Sequence, residues 1–216
     1  MRITAFNVDR QKRNQTVRIR SSQISSYFGI AGLSAYLLLA VVARIAFPSS
    51  FTPINNWLSD LGHRLLNPNG AIYYRLSGIV GGACLIVFFA FARIFTDSCK
   101  RPVLLLSALV KALGILAATC FILTGIYSED MMPMHSWFSM ANFILFGTAI
   151  ALTCVMNLIA KTLPIWFTVI CLIGWTADIV SGFFGNVRWL EWVVVASLIA
   201  FVGSLSVFGI VQKKVP

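Results

Sequence analysis

The sequence predicts an all-α integral membrane protein: a six-transmembrane-helix bundle with a short outer amphipathic helix between helices 1 and 2. Three observations carry that expectation. Hydrophobic residues make up 58% of the 216-residue chain and charged residues only 11%, with a positive mean hydropathy, outside the range of soluble globular domains. Apolar runs of about 20 residues, the length needed to cross a bilayer, recur along the chain. The basic residues collect at the ends of those runs, as topology signals do.

Six runs qualify: 27–47, 72–95, 103–127, 135–160, 165–183 and 189–211. The first follows a basic segment, as a signal peptide would. It is too long for a signal core, and cleavage after Ala46 would put Arg44 at the minus-three position, so it is expected to stay as helix one. Residues 1–26 then form a basic N-terminal segment, 27–211 the transmembrane domain and 212–216 a tail.

Alternating the loops between two sides puts Arg2, Arg10, Lys12, Arg13, Arg18 and Arg20 together with Arg93, Lys100, Arg101, Lys161, Lys213 and Lys214. Arg44, Arg64, Arg75 and Arg188 fall on the other side. The positive-inside rule therefore predicts a multi-pass protein of the cytoplasmic membrane with both termini cytoplasmic. The same distribution argues against nucleic acid as the reason for the net charge of +10. The N-terminal segment is either a disordered topology signal or a site for anionic lipid, worth about 1 kcal/mol per basic residue near the surface.

The longest outward loop, residues 48–71, contains "NNWLSDLGHRLLNPNG". At about 100 degrees per residue, Trp57, Leu58, Leu61 and Leu65 share one arc of a helix; Asn56, Ser59, Asp60, His63, Arg64 and Asn67 share the opposite one. This predicts an interfacial amphipathic helix, stopped by the turn residues Asn67-Pro68-Asn69-Gly70. Hydroxyl, carboxylate and imidazole at Ser59, Asp60 and His63 are spaced to meet on its wet face, a set suited to base chemistry or to a metal.

A second outward cluster, "YSEDMMPMHSW", carries Glu129, Asp130 and His135. Asp178, in the fifth run, must face the bundle and find a partner, with Arg44, Arg75 and Arg188 as the available cations. His63, His135 and Asp178 are candidate ligands for zinc or another divalent metal if the helices bring them to one depth; no HxxxH or HExxH spacing supports them. Lys111 is expected to snorkel, or to belong to a polar path through the bundle. Asn142 and Asn157 are candidate interhelical hydrogen-bond partners.

Other features read as structural. Cys84, Cys120, Cys154 and Cys171 behave as small buried hydrophobes, and Cys99 lies in a basic loop. Aromatics at 51, 57, 73, 74, 127, 137, 166, 175, 189 and 192 outline an interfacial belt. "GIVGG" at 78–82 reads as close helix packing, not a phosphate loop. Two histidines cannot ligate a transmembrane pair of hemes.

"NWLSDLGHRLLNPNG", followed by "YYRLSGIVGG" and "GIYSEDMMPMH", resembles the domain of unknown function 998 family, small polytopic membrane proteins of bacteria and archaea. The resemblance covers most of the chain from residue 27 and rests on Ser59, Asp60, Gly62, Asn67, Pro68, Gly78, Gly125, Asp130 and His135; Tyr127-Ser128 stands where Phe-Pro is expected. It implies the polytopic fold and no particular activity. The outer Ser, Asp and His also resemble the membrane hydrolases that include alkaline ceramidases, but those use three histidines and seven helices.

Three functions follow as expectations. The first is binding of a lipid or other amphiphile at a polar outer site made of Asn56, Ser59, Asp60, His63, Asn67, Arg75, Asp130, His135, Asp178 and Arg188. The second is metal-dependent hydrolysis of a lipid amide or ester, with Ser59, Asp60 and Asp130 catalytic. The third is transport of an ion or small molecule along Asp178 and Lys111. Membrane lipids are the expected partners, with a homo-oligomer or another membrane protein possible beside them.

Overall fold

A computed structural model describes residues 2–93, 101–183 and 187–211, with the side chains of 2–20 and 181–183 left aside. The tail 212–216, Cys99 and Lys100 lie outside the described residues. Every regular element among the described residues is helical: α1 (Arg2–Ile45), a short 3-10 turn (Leu58–Gly62), α2 (Ala71–Phe91), α3 (Arg101–Ile126), α4 (Met134–Ala160), α5 (Ile165–Phe183) and α6 (Arg188–Val211).

Five helices are long and apolar enough to cross a membrane: Ser21–Ile45 within α1, then α2, α3, α4 and α6. The fifth run forms α5 with 19 residues, its apolar stretch being Ile165–Val180. Large apolar side chains cover the outside of the bundle, among them Leu38, Leu105, Ile173 and Val207. A surface of that kind belongs in lipid, and the chain is a membrane-embedded helical bundle.

The helix ends sit where the sequence punctuates them. Pro48 follows α1, Gly70 and Pro133 stand at the N-caps of α2 and α4, and Pro164 precedes α5. Lys161 closes α4 in a left-handed conformation at φ 53, donating its N–H to the Asn157 carbonyl at 2.7 Å. Asn157 also fulfils its expected interhelical role. Its amide donates to Thr168 Oγ1 at 2.9 Å and to the Leu163 carbonyl at 3.2 Å, and accepts from the Leu163 N–H at 2.9 Å.

At the N-terminus the basic segment is not a separate disordered stretch, because α1 runs through it as helix from Arg2. The chain has neither glycine nor proline before Gly29, so nothing in the backbone chemistry breaks the helix between the basic segment and the apolar run.

Each helix packs on its sequence neighbours, and α6 returns to α1, so the six helices form a closed ring. Phe88, Phe89, Phe146, Phe167 and Phe201 fill its interior. Lipid offers little hydrophobic drive for helices to associate, so small residues that let backbones touch matter most. The "GIVGG" glycines do this between α2 and α3. A Cβ on Gly125 would lie 2.6 Å from the Arg75 carbonyl oxygen, and one on Gly82 would lie 2.8 Å from that of Ala118.

Gly125→Ala is therefore expected to force α2 and α3 apart, at a cost on the order of 1–3 kcal/mol as for other overpacked contacts. Thermal melting of the detergent-solubilised protein measures this; an unchanged melting temperature would show that the two helices can slide without loss.

Candidate functional site

The loop between α1 and α2 departs from the expected amphipathic helix. Only Leu58–Gly62 is helical, as a 3-10 turn, and two of the polar residues, Asp60 and Asn67, turn inward. Asp60 is 8% exposed and Asn67 is fully buried, while Leu65, assigned by pattern to the apolar face, is 85% exposed. The reason is local hydrogen bonding that competes with the helix. Asp60 accepts from the Trp57 N–H at 3.0 Å and from the Asn56 amide at 3.3 Å. Asn67 donates to the carbonyls of Ala43 at 3.0 Å and Leu61 at 2.9 Å, tying the loop back to α1.

The first turn of α6 holds this loop from the other side. Glu191 accepts the Leu58 N–H at 2.7 Å and also engages Ser59, and the Trp192 indole donates to the Asn56 carbonyl at 3.2 Å. Part of the expected aromatic belt is drawn inward to make this seam. Phe51 packs on Trp192 at 5.6 Å and on Phe47 at 4.9 Å, with the Arg44 guanidinium 5.5 Å above its ring. Trp137, Trp166 and Trp189 stay exposed.

The loop between α3 and α4 closes the same end of the ring. His135 donates Nδ1–H to the Tyr127 carbonyl at 2.8 Å; its Nε2 is then an acceptor, facing the Ser139 hydroxyl at 3.3 Å. Asp130 accepts from the Ser128 hydroxyl and pairs with Arg64 at 3.4 Å. Burial opposes ionisation of Asp130, but the Ser128 hydroxyl, a backbone N–H, Arg64 and His63 together hold it below the usual carboxylate range. Its neighbour Glu129 goes the other way, to about 8, through burial first and then through a hydrogen bond with Asp60 and the negative fields of Asp60, Glu191 and Asp130.

Behind these loops a cavity of about 90 Å³ runs into the bundle. Ser59, Arg75, Glu129, His135, Asn142 and Glu191 give it one polar end; Leu33, Leu85, Phe121, Phe146 and Val202 line the apolar remainder. Arg75 is already engaged at the end of α3, donating to the Gly125 carbonyl at 3.1 Å and the Ile126 carbonyl at 2.8 Å. Glu129 and Asn142, which line this space, each carry one buried oxygen, Oε2 and Oδ1, with no hydrogen-bond partner among the described residues.

Of the expected site residues, Ser59, Arg75 and His135 line the cavity, and Asn56 and Asp60 stand behind it. Asn67 braces the loop, and Asp130 is in a partly exposed ion pair. His63 Nδ1 accepts from the N–H groups of Leu65 at 3.2 Å and Leu66 at 3.3 Å. Arg188 is exposed at the start of α6.

Asp178 lies against Gly147 of α4, twelve residues and about 18 Å of helical rise from His135. Arg44 and Arg75 are both committed elsewhere. The donor set His63, His135 and Asp178 is thus not brought together, and among the described residues no three His, Cys, Asp or Glu side chains are arranged to hold a metal.

Glu191 and Asn142 are the site residues that sequence reasoning missed, and Glu129 was noticed only as part of a cluster. Glu191 reads in the sequence as an acidic residue complementing a helix N-terminus. The available signal was scarcity. The chain has only seven acidic residues, and Asp60, Glu129, Asp130 and Glu191 all fall at this end. No protein-family model, curated protein or solved structure matches the chain.

A carboxyl group raised by folding makes stability fall with pH between its unfolded and folded values. For Glu129 the window runs from about 4.5 to about 8, because the unfolded chain releases the proton first. Glu129→Gln is expected to flatten the decline in melting temperature across that window, and Asp130 contributes the opposite slope only below its ordinary value of 3.8. Melting curves of both proteins from pH 5 to 8.5 test this; identical slopes would contradict it.

Proposed function

We propose that this chain binds a lipid or other amphiphile in the cavity between α1, α2, α3, α4 and α6, with the polar group of the ligand at the end closed by the 3-10 turn. The observation that carries this reading is the lining itself: one end polar and partly unsatisfied, the rest apolar, inside a bundle whose surroundings are lipid. By the room one water needs, about 10–15 Å³, the space takes a ligand segment the size of several waters, such as a headgroup with the first part of a chain.

The hydrolytic alternative finds less support, since His63 Nδ1 accepts from backbone N–H groups of its own loop and the Asp60 carboxylate accepts from Trp57 and Asn56. For transport, Asp178 on α5 and Lys111 on α3 both stand outside the cavity lining. Membership of the domain of unknown function 998 family belongs to the same proposal and rests on the loop residues quoted for it.

The topology we propose has six spans with both termini cytoplasmic, which puts the polar end of the cavity on the outer side. Single cysteines introduced at Leu65 and at Lys161, in a background without the native cysteines, test it. In intact cells an impermeant maleimide is expected to label position 65 and not position 161; the reverse pattern would invert the topology.

Photo-crosslinking tests the binding reading. A fatty amphiphile carrying a diazirine on its chain is expected to label cavity residues such as Phe121, Phe146 and Val202. Label confined to the exposed faces, for example Leu172 and Ile173 of α5, would mean that the lipid only surrounds the protein.

A further inference from the structure

The polar end of the cavity is rich in carboxyl groups. Glu129 and Glu191 reach it directly, and Asp60 stands behind Glu129, hydrogen-bonded to it. Among the donors there, Arg75 gives two of its N–H groups to the carbonyls of Gly125 and Ile126 and His135 gives Nδ1–H to the Tyr127 carbonyl, while the hydroxyls of Ser59, Tyr36 and Tyr74, which donate or accept, also line the space. Independently of the carboxyl groups, Asn142, on the facing helix α4 and only 5% exposed, lines the same space and carries a buried amide oxygen with no hydrogen-bond partner among the described residues.

A buried acceptor left without a donor is destabilising, and Glu129 Oε2 is a second one. Both oxygens call for a ligand that brings hydrogens on a positive centre. An anionic headgroup would bring further acceptors instead, and bringing negative charge beside Glu129 would push its carboxyl group still further from ionisation. The aromatic ring of Phe121 and the apolar wall of Leu85 and Val202 then suit a hydrocarbon chain.

Resting on the amphiphile-binding reading, we infer that the ligand is an amine-bearing amphiphile whose ammonium N–H groups donate to Glu129 and Asn142 while its chain lies along the apolar wall. Glu191 adds charge without leaving its place on the Leu58 N–H. Arg75, held against the end of α3, faces the same cavity and sets a limit on how far a cation enters.

The test uses the full chain in nanodiscs of phosphatidylcholine at pH 7.5, with radiolabelled octylammonium as the probe and three competitors of equal chain length. Octylammonium is expected to bind saturably and to be displaced by itself at concentrations about tenfold lower than by octanol, octanoate or octyltrimethylammonium, which has no N–H. Glu129→Gln and Asn142→Leu, each checked for a single cooperative melting transition, are expected to weaken binding about fivefold or more. The competition order in the wild type stands whether or not a variant folds.

Equal or better competition by octanol or octanoate overturns the amine assignment and leaves the amphiphile reading standing. Equal competition by octyltrimethylammonium overturns the hydrogen-bond donor role. If octylammonium binds without saturation and the diazirine amphiphile fails to label the cavity, the amphiphile reading itself falls.

Discussion

One hydrogen bond organises the polar end of this bundle: the Leu58 N–H donating to Glu191 across 133 residues of sequence. It joins the loop that follows the first helix to the start of the last, at the seam where the ring closes. In an apolar surrounding an unpaired backbone N–H or carboxylate is costly, so each partner holds the other in place. With the turn fixed there, Asp60 meets Glu129, the loop between α3 and α4 is drawn over the ring, and His135 and Asn142 face the space that remains. Without Glu191, the 3-10 turn would lose its acceptor and the cavity one wall.

The rest of the ring allows this concentration of polar groups by being dry and close-packed. Backbone contact between α2 and α3 at Gly125 and Gly82, with the phenylalanine interior below, leaves the cavity as a bounded space. Carboxyl groups at its end are consequently short of water. They respond by holding on to a proton, as Glu129 does beside Asp60, or by taking backbone donors, as Glu191 does. Asp130, one residue from Glu129, lies at the surface beside Arg64 and remains an ordinary anion. Adjacent residues therefore have opposite electrostatic roles, and a site built this way suits a ligand that supplies positive charge and hydrogens.

Much of the fold was legible from the chain. Length and hydrophobicity alone mark the apolar runs, since a bilayer demands about 20 apolar residues whatever their neighbours. Prolines and glycines punctuate them, and Asn157 behaved as an intramembrane amide should. The loop at 48–71 was not legible in the same way. A helical wheel assumes that polar residues seek water, yet Asp60 and Asn67 have their partners in the protein, and Leu65 was left outside. Periodicity cannot see hydrogen bonds to Ala43 or Glu191, which come from elsewhere in the chain.

The sequence by itself therefore determined the helices, the membrane setting and the end at which the acidic residues gather, because each depends on local composition and length. Tertiary structure decided which of those residues form a site. It sent His63 back to its own loop, set Asp178 against Gly147, and brought Glu129, Glu191 and Asn142 to one cavity. Those outcomes depend on ring closure and on hydrogen bonds between residues far apart in sequence, and a polar group buried in a bundle takes its partners from whichever helices packing puts beside it.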